Sequence, residues 1–136
     1  HRDYVKNNNI DRVIFVEHSS SLDVIHSFLD AIDVYAHSRF DGEVCSAAII
    51  EAMYHGKPVI TCPGTSENGH MEQVENCGSW CSTVSEYISE MNKLREDNDY
   101  YSEKSVLTKN KYEKKYKCNV VEKQLLQVFS NVEISK

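Results

Sequence analysis

The chain has 136 residues, 40% of them apolar and 26% charged, which fits a soluble globular protein of one domain. No apolar run approaches the about 20 residues that span a bilayer. A net charge of −6 excludes the broad basic face with which nucleic-acid binders meet phosphates, so no nucleic-acid partner is expected.

The opening segment HRDYVKNNNI has no initiator methionine and no signal-peptide pattern. Two short β-branched runs follow, VIFV (13–16) and VYAH (34–37). They flank a helical stretch in which Leu22, Ile25, Phe28, Leu29 and Ile32 recur at spacings of three and four. A second helix is predicted over roughly 44–55, closed by Gly56, and after Pro58 the run VITC reads as the next strand. This alternation predicts a parallel sheet with covering helices.

The loop PGTSENG (63–69) leads into a short predicted helix, His70 to Glu75, and Ser79 to Ser82 reads as a last short strand. From Val84 the pattern is helical: Tyr87, Ile88, Met91 and Leu94 form one apolar stripe, and Val120, Val121, Leu125, Leu126 and Phe129 another. Between them lies a basic island, KNKYEKKYK (109–117). It reads either as a solvated helix face or as a peripheral contact with anionic lipid headgroups.

Five cysteines, Cys45, Cys62, Cys77, Cys81 and Cys118, are odd in number and irregular in spacing, as free thiols in a reducing compartment would be. A cytoplasmic location is therefore expected. Cys77 and Cys81 with His70 match a structural zinc pattern poorly, and no metal site is expected. His37 at a strand end and His70 in its loop read either as structural residues or as donors facing a cleft.

The stretch DGEVCSAAIIEAM (41–53) carries two carboxylates, Glu43 and Glu51, at the ends of an otherwise apolar segment. Glu51 falls inside the predicted helix with Ala47 and Ala48 one turn before it, so a ligand can approach closely. Glu43 follows the permissive Gly42 and can turn over the helix start. Amides of Val44, Cys45 and Ser46 at that helix N-terminus would suit phosphate or polarised hydroxyls. The simpler reading makes Asp41 and Glu43 charges favoured by the helix dipole and Glu51 a solvated residue.

The run IDVYAHSRFDGEVCSAAIIEAMYHGKPVIT resembles the signature of retaining glycosyltransferases with the two-domain GT-B fold: Glu, seven residues, Glu-Ala-Met, a Gly, then a strand opening Pro-Val-Ile. The loop NGHMEQVENCG resembles the family segment that follows the next strand. The resemblance implies an α/β, Rossmann-like parallel sheet, part of the C-terminal donor-binding domain, with a helical C-terminal segment. Residues 1–136 would be one partial nucleotide-sugar-binding domain and 84–136 its helical segment.

By the same resemblance, Glu43 holds donor-sugar hydroxyls, Val44, Cys45 and Ser46 present amides to sugar and phosphate, and Glu51 binds the ribose. The family commonly has Gly-Phe-Gly where this chain has Val44, Cys45 and Ser46, which reshapes the donor pocket. His18, Ser19 and Ser21 correspond to the base-binding loop, although Ser21 reads equally well as a helix N-cap.

The implied activity is transfer of a sugar from a nucleotide-diphosphate donor to a glycan or lipid-linked acceptor in polysaccharide biosynthesis, at the inner membrane surface if the acceptor is a lipid. No cofactor is implied, and metal is not required where a helix N-terminus and basic groups stabilise the leaving diphosphate. No general base stands out. A GT-B sugar-nucleotide epimerase and a non-catalytic nucleotide-binding module are the rival readings.

The family domain begins with two strands not visible before residue 13. With the family strand order 3-2-1-4-5-6, the run at 13–16 corresponds to the third strand and stands apart from the others. The chain is therefore expected to be a fragment, inactive alone, that lacks the N-terminal domain and completes its sheet differently or through another copy or segment.

Overall fold

The structure, a computed structural model, describes residues 1–130. The last six residues of the predicted helical segment 84–136 lie outside the described residues.

A short helix the sequence pattern did not suggest, α1 (Arg2–Asn7), opens the chain. The predicted strand at 13–16 does not form. A strand needs a neighbour for its backbone N–H and C=O groups, and among the described residues no strand pairs with these. Ile14 and Val16 remain 88% and 59% exposed. Composition favoured a strand there, and the missing partner decided against it.

Helix α2 (Leu22–Ala31) leads to β1 (Tyr35–His37), and α3 (Ala47–Tyr54) leads to β3 (Val59–Thr61). Helix α3 starts three residues later than predicted. It ends as expected at Gly56, whose φ is +65. The Gly56 amide donates to Met53 O at 2.9 Å and the Lys57 amide to Ala52 O at 3.0 Å, the two bonds of a Schellman cap.

The main sheet is parallel in the order β1-β3-β5, with β5 at Ser79–Trp80. A sheet of four adjacent strands, which would have contradicted the family strand order, is not seen among the described residues. Strand β3 is central and buried at all three residues, as expected when both faces are covered. Successive side chains point to opposite faces, so Val59 joins a core of Leu29, Ile49, Ala52, Met53, Val74 and Cys77 on one side. Ile60 joins Cys81 and Leu94 on the other.

A second parallel pair lies beyond the main sheet: β2 (Gly42–Glu43) runs beside β4 (Glu67–Asn68), with Gly42 opposite Glu67 and Glu43 opposite Asn68. Helix α4 (Gly69–Val74) follows directly.

Helix α5 (Val84–Glu96) starts with a capping box between Thr83 and Glu86. Helix α6 (Asn98–Lys111) runs on through a π-helical turn at Tyr112–Tyr116, and α7 (Cys118–Ser130) follows. Both predicted stripes are only partly covered. Leu94 is buried, but Ile88 and Met91 are 56% and 43% exposed. On α7, Leu125, Leu126 and Phe129 are all exposed.

Candidate functional site

The chain leaves β1 at His37 and returns through Gly42 to place Glu43 at the edge of the sheet. Gly42 has φ +78, and a Cβ on it would lie 1.9 Å from Glu67 O. A Cβ on Gly64 would lie 2.3 Å from Gly42 Cα, and one on Gly69 would lie 1.9 Å from Val44 O. Three glycines thus let the 41–44 and 64–69 loops touch backbone to backbone. This contact fixes where Glu43 emerges.

The Glu43 side chain is largely buried, 15% exposed. Its Oε1 lies 2.6 Å from His37 Nε2, itself on a side chain 13% exposed. Both atoms are buried, and neither has a hydrogen-bond partner beyond this contact. Arg39 Nη1 donates to Glu43 Oε2 at 3.3 Å. The same guanidinium grips Asp41 through two bonds of 3.0 and 3.2 Å. That pairing pushes the Asp41 carboxyl below and the Arg39 guanidinium above their ordinary values. Asp41 is therefore an arginine partner rather than a helix-end charge. Arg39, which sequence reading missed, stands four residues before Glu43.

Val44 and Cys45 are exposed, and Ser46 is buried as the N-cap of α3, its hydroxyl accepting from the Ile49 amide at 3.4 Å. The expectation that all three amides stand free needs correcting at Ser46. Its N–H donates to Gln73 Oε1 at 2.7 Å, while Gln73 Nε2 donates to Ser46 O at 3.1 Å. The first-turn amides of α3 belong instead to Ala47 and Ala48. Gln73 comes from α4, 27 residues away, and no local pattern marks it.

His70 is fully buried. Its Nε2 lies 2.9 Å from Cys62 O and its Nδ1 3.3 Å from Glu43 O, so it braces the backbone behind Glu43 rather than facing a cleft. The tautomer with its proton on Nε2 makes the shorter bond. His37 ends β1, and its ring packs 5.9 Å from that of His70.

Glu51 is half-buried and lines a cavity of about 440 Å³ with His26, Ile50, Tyr54, Tyr112 and Tyr116, a lining that does not include Glu43. The two carboxylates nevertheless act on one group. Burial raises the Tyr35 phenol above its ordinary value, and the charges of Glu43 and Glu51 raise it further.

His18, Ser19 and Ser21 lie just before α2. Ser21 occupies the N-cap position without a side-chain capping bond, and its amide donates to Ser19 Oγ at 3.2 Å. All five cysteines are free thiols. Cys77 and Cys81 belong to opposite core clusters, so they do not form a ligand pair with His70. Among the described residues no group of three or more His, Cys, Asp or Glu side chains is arranged to hold a metal ion.

The basic island is largely engaged. Lys109 Nζ donates to Tyr54 O, and Lys111 Nζ caps α4 through Glu72 O and Glu75 O, each at 2.7 Å. Lys117 pairs with Glu113 at 2.5 Å. Lys114 and Lys115 stay exposed. Among the described residues no helix is long and apolar enough to cross a membrane.

No protein-family profile matches the chain, and no curated protein matches it in sequence. Solved structures do. Anabaena Alr3699/HepE in complex with UDP-glucose superposes with a TM-score of 0.74 at 23% identity over 96% of this chain. The same protein in complex with UDP gives 0.79 at 22% identity, and with UDP and glucose 0.76 at 22%, each over 96% of this chain. This chain spans 38% of the length of HepE in the first two structures and 37% in the third. At this identity the likeness establishes the fold: a mixed α/β arrangement of parallel sheets and flanking helices that matches part of a GT-B-like domain.

Proposed function

We propose that the chain binds a nucleotide-diphosphate sugar as the donor-binding part of a glycosyltransferase. The observation that carries this reading is the fold shared over 96% of the chain with HepE, which has been solved with UDP-glucose and with UDP. The local chemistry supports it. Glu43 Oε2 has accepting capacity beyond its 3.3 Å bond from Arg39, which suits a sugar hydroxyl, whereas Oε1 is buried against His37. Beside it, the first-turn amides of α3 offer donors to a diphosphate, and Arg39 joins them by exchanging its bonds to Asp41 for phosphate oxygens.

In this reading Glu43 positions the donor sugar, and Arg39 with the start of α3 stabilises charge that grows on the phosphate oxygens as the sugar–phosphate bond breaks. Gln73 holds the Ser46 backbone so that this helix start keeps its aim. The acceptor, a glycan or lipid-linked saccharide, would meet the donor on surfaces supplied by the rest of a longer protein.

Saturation-transfer NMR against UDP-, GDP-, dTDP- and ADP-sugars tests the proposal. One donor should bind, and Glu43→Ala should weaken it about ten- to a hundredfold, the loss of hydrogen bonds to a charged acceptor. Binding that survives Glu43→Ala, with no sugar transfer by the protein, would instead support a non-catalytic nucleotide-binding module. Turnover of the donor without acceptor would support an epimerase.

A further inference from the structure

Among the described residues, three buried side-chain atoms have no hydrogen-bond partner elsewhere: His37 Nε2, Glu43 Oε1 and Thr61 Oγ1. The first two face each other at 2.6 Å, on side chains 13% and 15% exposed. A buried polar atom left unpaired is unfavourable, and one proton between these two satisfies both. A carboxylate only accepts, so that proton sits on His37 Nε2 and the ring donates.

The two residues differ in how firmly they are held. His37 ends β1 in register with Thr61 of β3, and the Tyr87 hydroxyl donates to His37 O at 2.9 Å. Its ring stacks on Tyr35 at 6.1 Å and packs 5.9 Å from the buried ring of His70. Glu43 belongs to a two-residue strand entered through Gly42, and its Oε2 is met by Arg39 at 3.3 Å. Arg39 is a weak anchor, because its side chain is 51% exposed and also binds Asp41 twice. Once Arg39 turns to phosphate oxygens, His37 is what still holds the carboxylate.

We propose that His37 is the positioning residue for Glu43: its Nε2–H fixes Oε1 and keeps Oε2 turned to the donor sugar, whether or not Arg39 is bound. This role rests on the donor-binding reading above and divides the site in two. Arg39 acts on the diphosphate, whereas His37 acts on the sugar, and only through Glu43.

Two substitutions separate positioning from packing. His37→Gln keeps an N–H near the place of Nε2 and loses the ring, whereas His37→Phe keeps a ring against Tyr35 and His70 and loses the N–H. The purified protein and each variant are titrated calorimetrically with UDP-, GDP-, dTDP- and ADP-glucose beside the matching nucleoside diphosphates. One nucleotide sugar should bind. His37→Phe should weaken it about tenfold and leave its sugar-free diphosphate unchanged, and His37→Gln should stay within about twofold of the unsubstituted protein for both. Long-range 1H–15N spectra without ligand should show the His37 proton on Nε2, with that nitrogen shifting in Glu43→Gln. If His37→Phe does not fold, this spectrum and His37→Gln carry the test.

Binding that depends on Glu43 but is unchanged in His37→Phe, or a His37 Nε2 without a proton, would overturn the role of His37 and leave the donor reading intact. Loss in both variants, for nucleotide sugar and diphosphate alike, would make His37 a packing residue and overturn that role equally. A protein that binds neither a nucleotide sugar nor a diphosphate overturns the donor reading and this role with it.

Discussion

Gln73 shows how one side chain can set a site it does not line. Its amide closes a two-bond clamp on the Ser46 backbone, accepting at 2.7 Å and donating at 3.1 Å, and it is buried. Gln73→Leu would leave the Ser46 N–H without a partner in an apolar setting, while its C=O keeps the Ile50 amide at 3.3 Å, at a cost of about 1–3 kcal/mol. Urea unfolding should show that loss, and donor affinity should fall with it because α3 would start in a different place. Gln73→Glu should keep the accepting bond and lose the donating one, giving a smaller defect. An unchanged urea midpoint for Gln73→Leu would show that the clamp is replaced by other bonds. The Arg39–Glu43 pair was within reach of sequence reading, because four residues separate its members. The clamp was not, because its partners are 27 residues apart and meet only through the fold.

At the level of elements, the site depends on two loops brought into backbone contact by Gly42, Gly64 and Gly69. Gly69→Ala should damage both stability and donor binding, since its Cβ would have to displace Val44 O from 1.9 Å. Gly56→Ala makes a useful contrast. Its Cβ meets nothing closer than 3.5 Å, so the cost is the positive φ alone, about 1 kcal/mol, with no effect on binding. Equal behaviour of the two variants in thermal melts and ligand titrations would rule out the close approach as the determinant. The helices and the strands of the main sheet were legible because periodicity and caps are local signals. The β2–β4 pair was not, because two-residue strands carry no pattern. The run at 13–16 was misread for the opposite reason: its residues favour a strand, but pairing is a property of the neighbour.

Across the whole molecule, the alternation of strand and helix announced a parallel α/β fold, whereas the share of each helix stripe that is buried depends on what packs against it. Ile88 and Phe129 are equally apolar in sequence to Leu94, yet only Leu94 reaches the core. The groups that the fold does bury give it a direction of pH sensitivity. Burial raises the phenols of Tyr35, Tyr87, Tyr100, Tyr101 and Tyr116 above their ordinary value of 10.0, and the Cys77 and Cys81 thiols above 9.0. A raised pKa means that the native state keeps a proton that the unfolded chain has already released. Between the two pKa values the native state binds more protons, so stability falls as pH rises. Lys111 works in the other sense, since burial lowers its ammonium below 10.5, but it is one group against seven. The stabilising contribution is therefore complete at neutral pH and begins to decline near pH 9, where the unfolded thiols titrate, steepening near pH 10 with the tyrosines. Urea midpoints at about pH 7.5 and about pH 10.5 should differ clearly, with ultraviolet absorbance showing that five of the eight tyrosines form phenolate only as the chain unfolds. Ionisation of all eight tyrosines near pH 10 without loss of structure would show that these five phenols are open to solvent and that the packing around the sheet is looser than the fold described here.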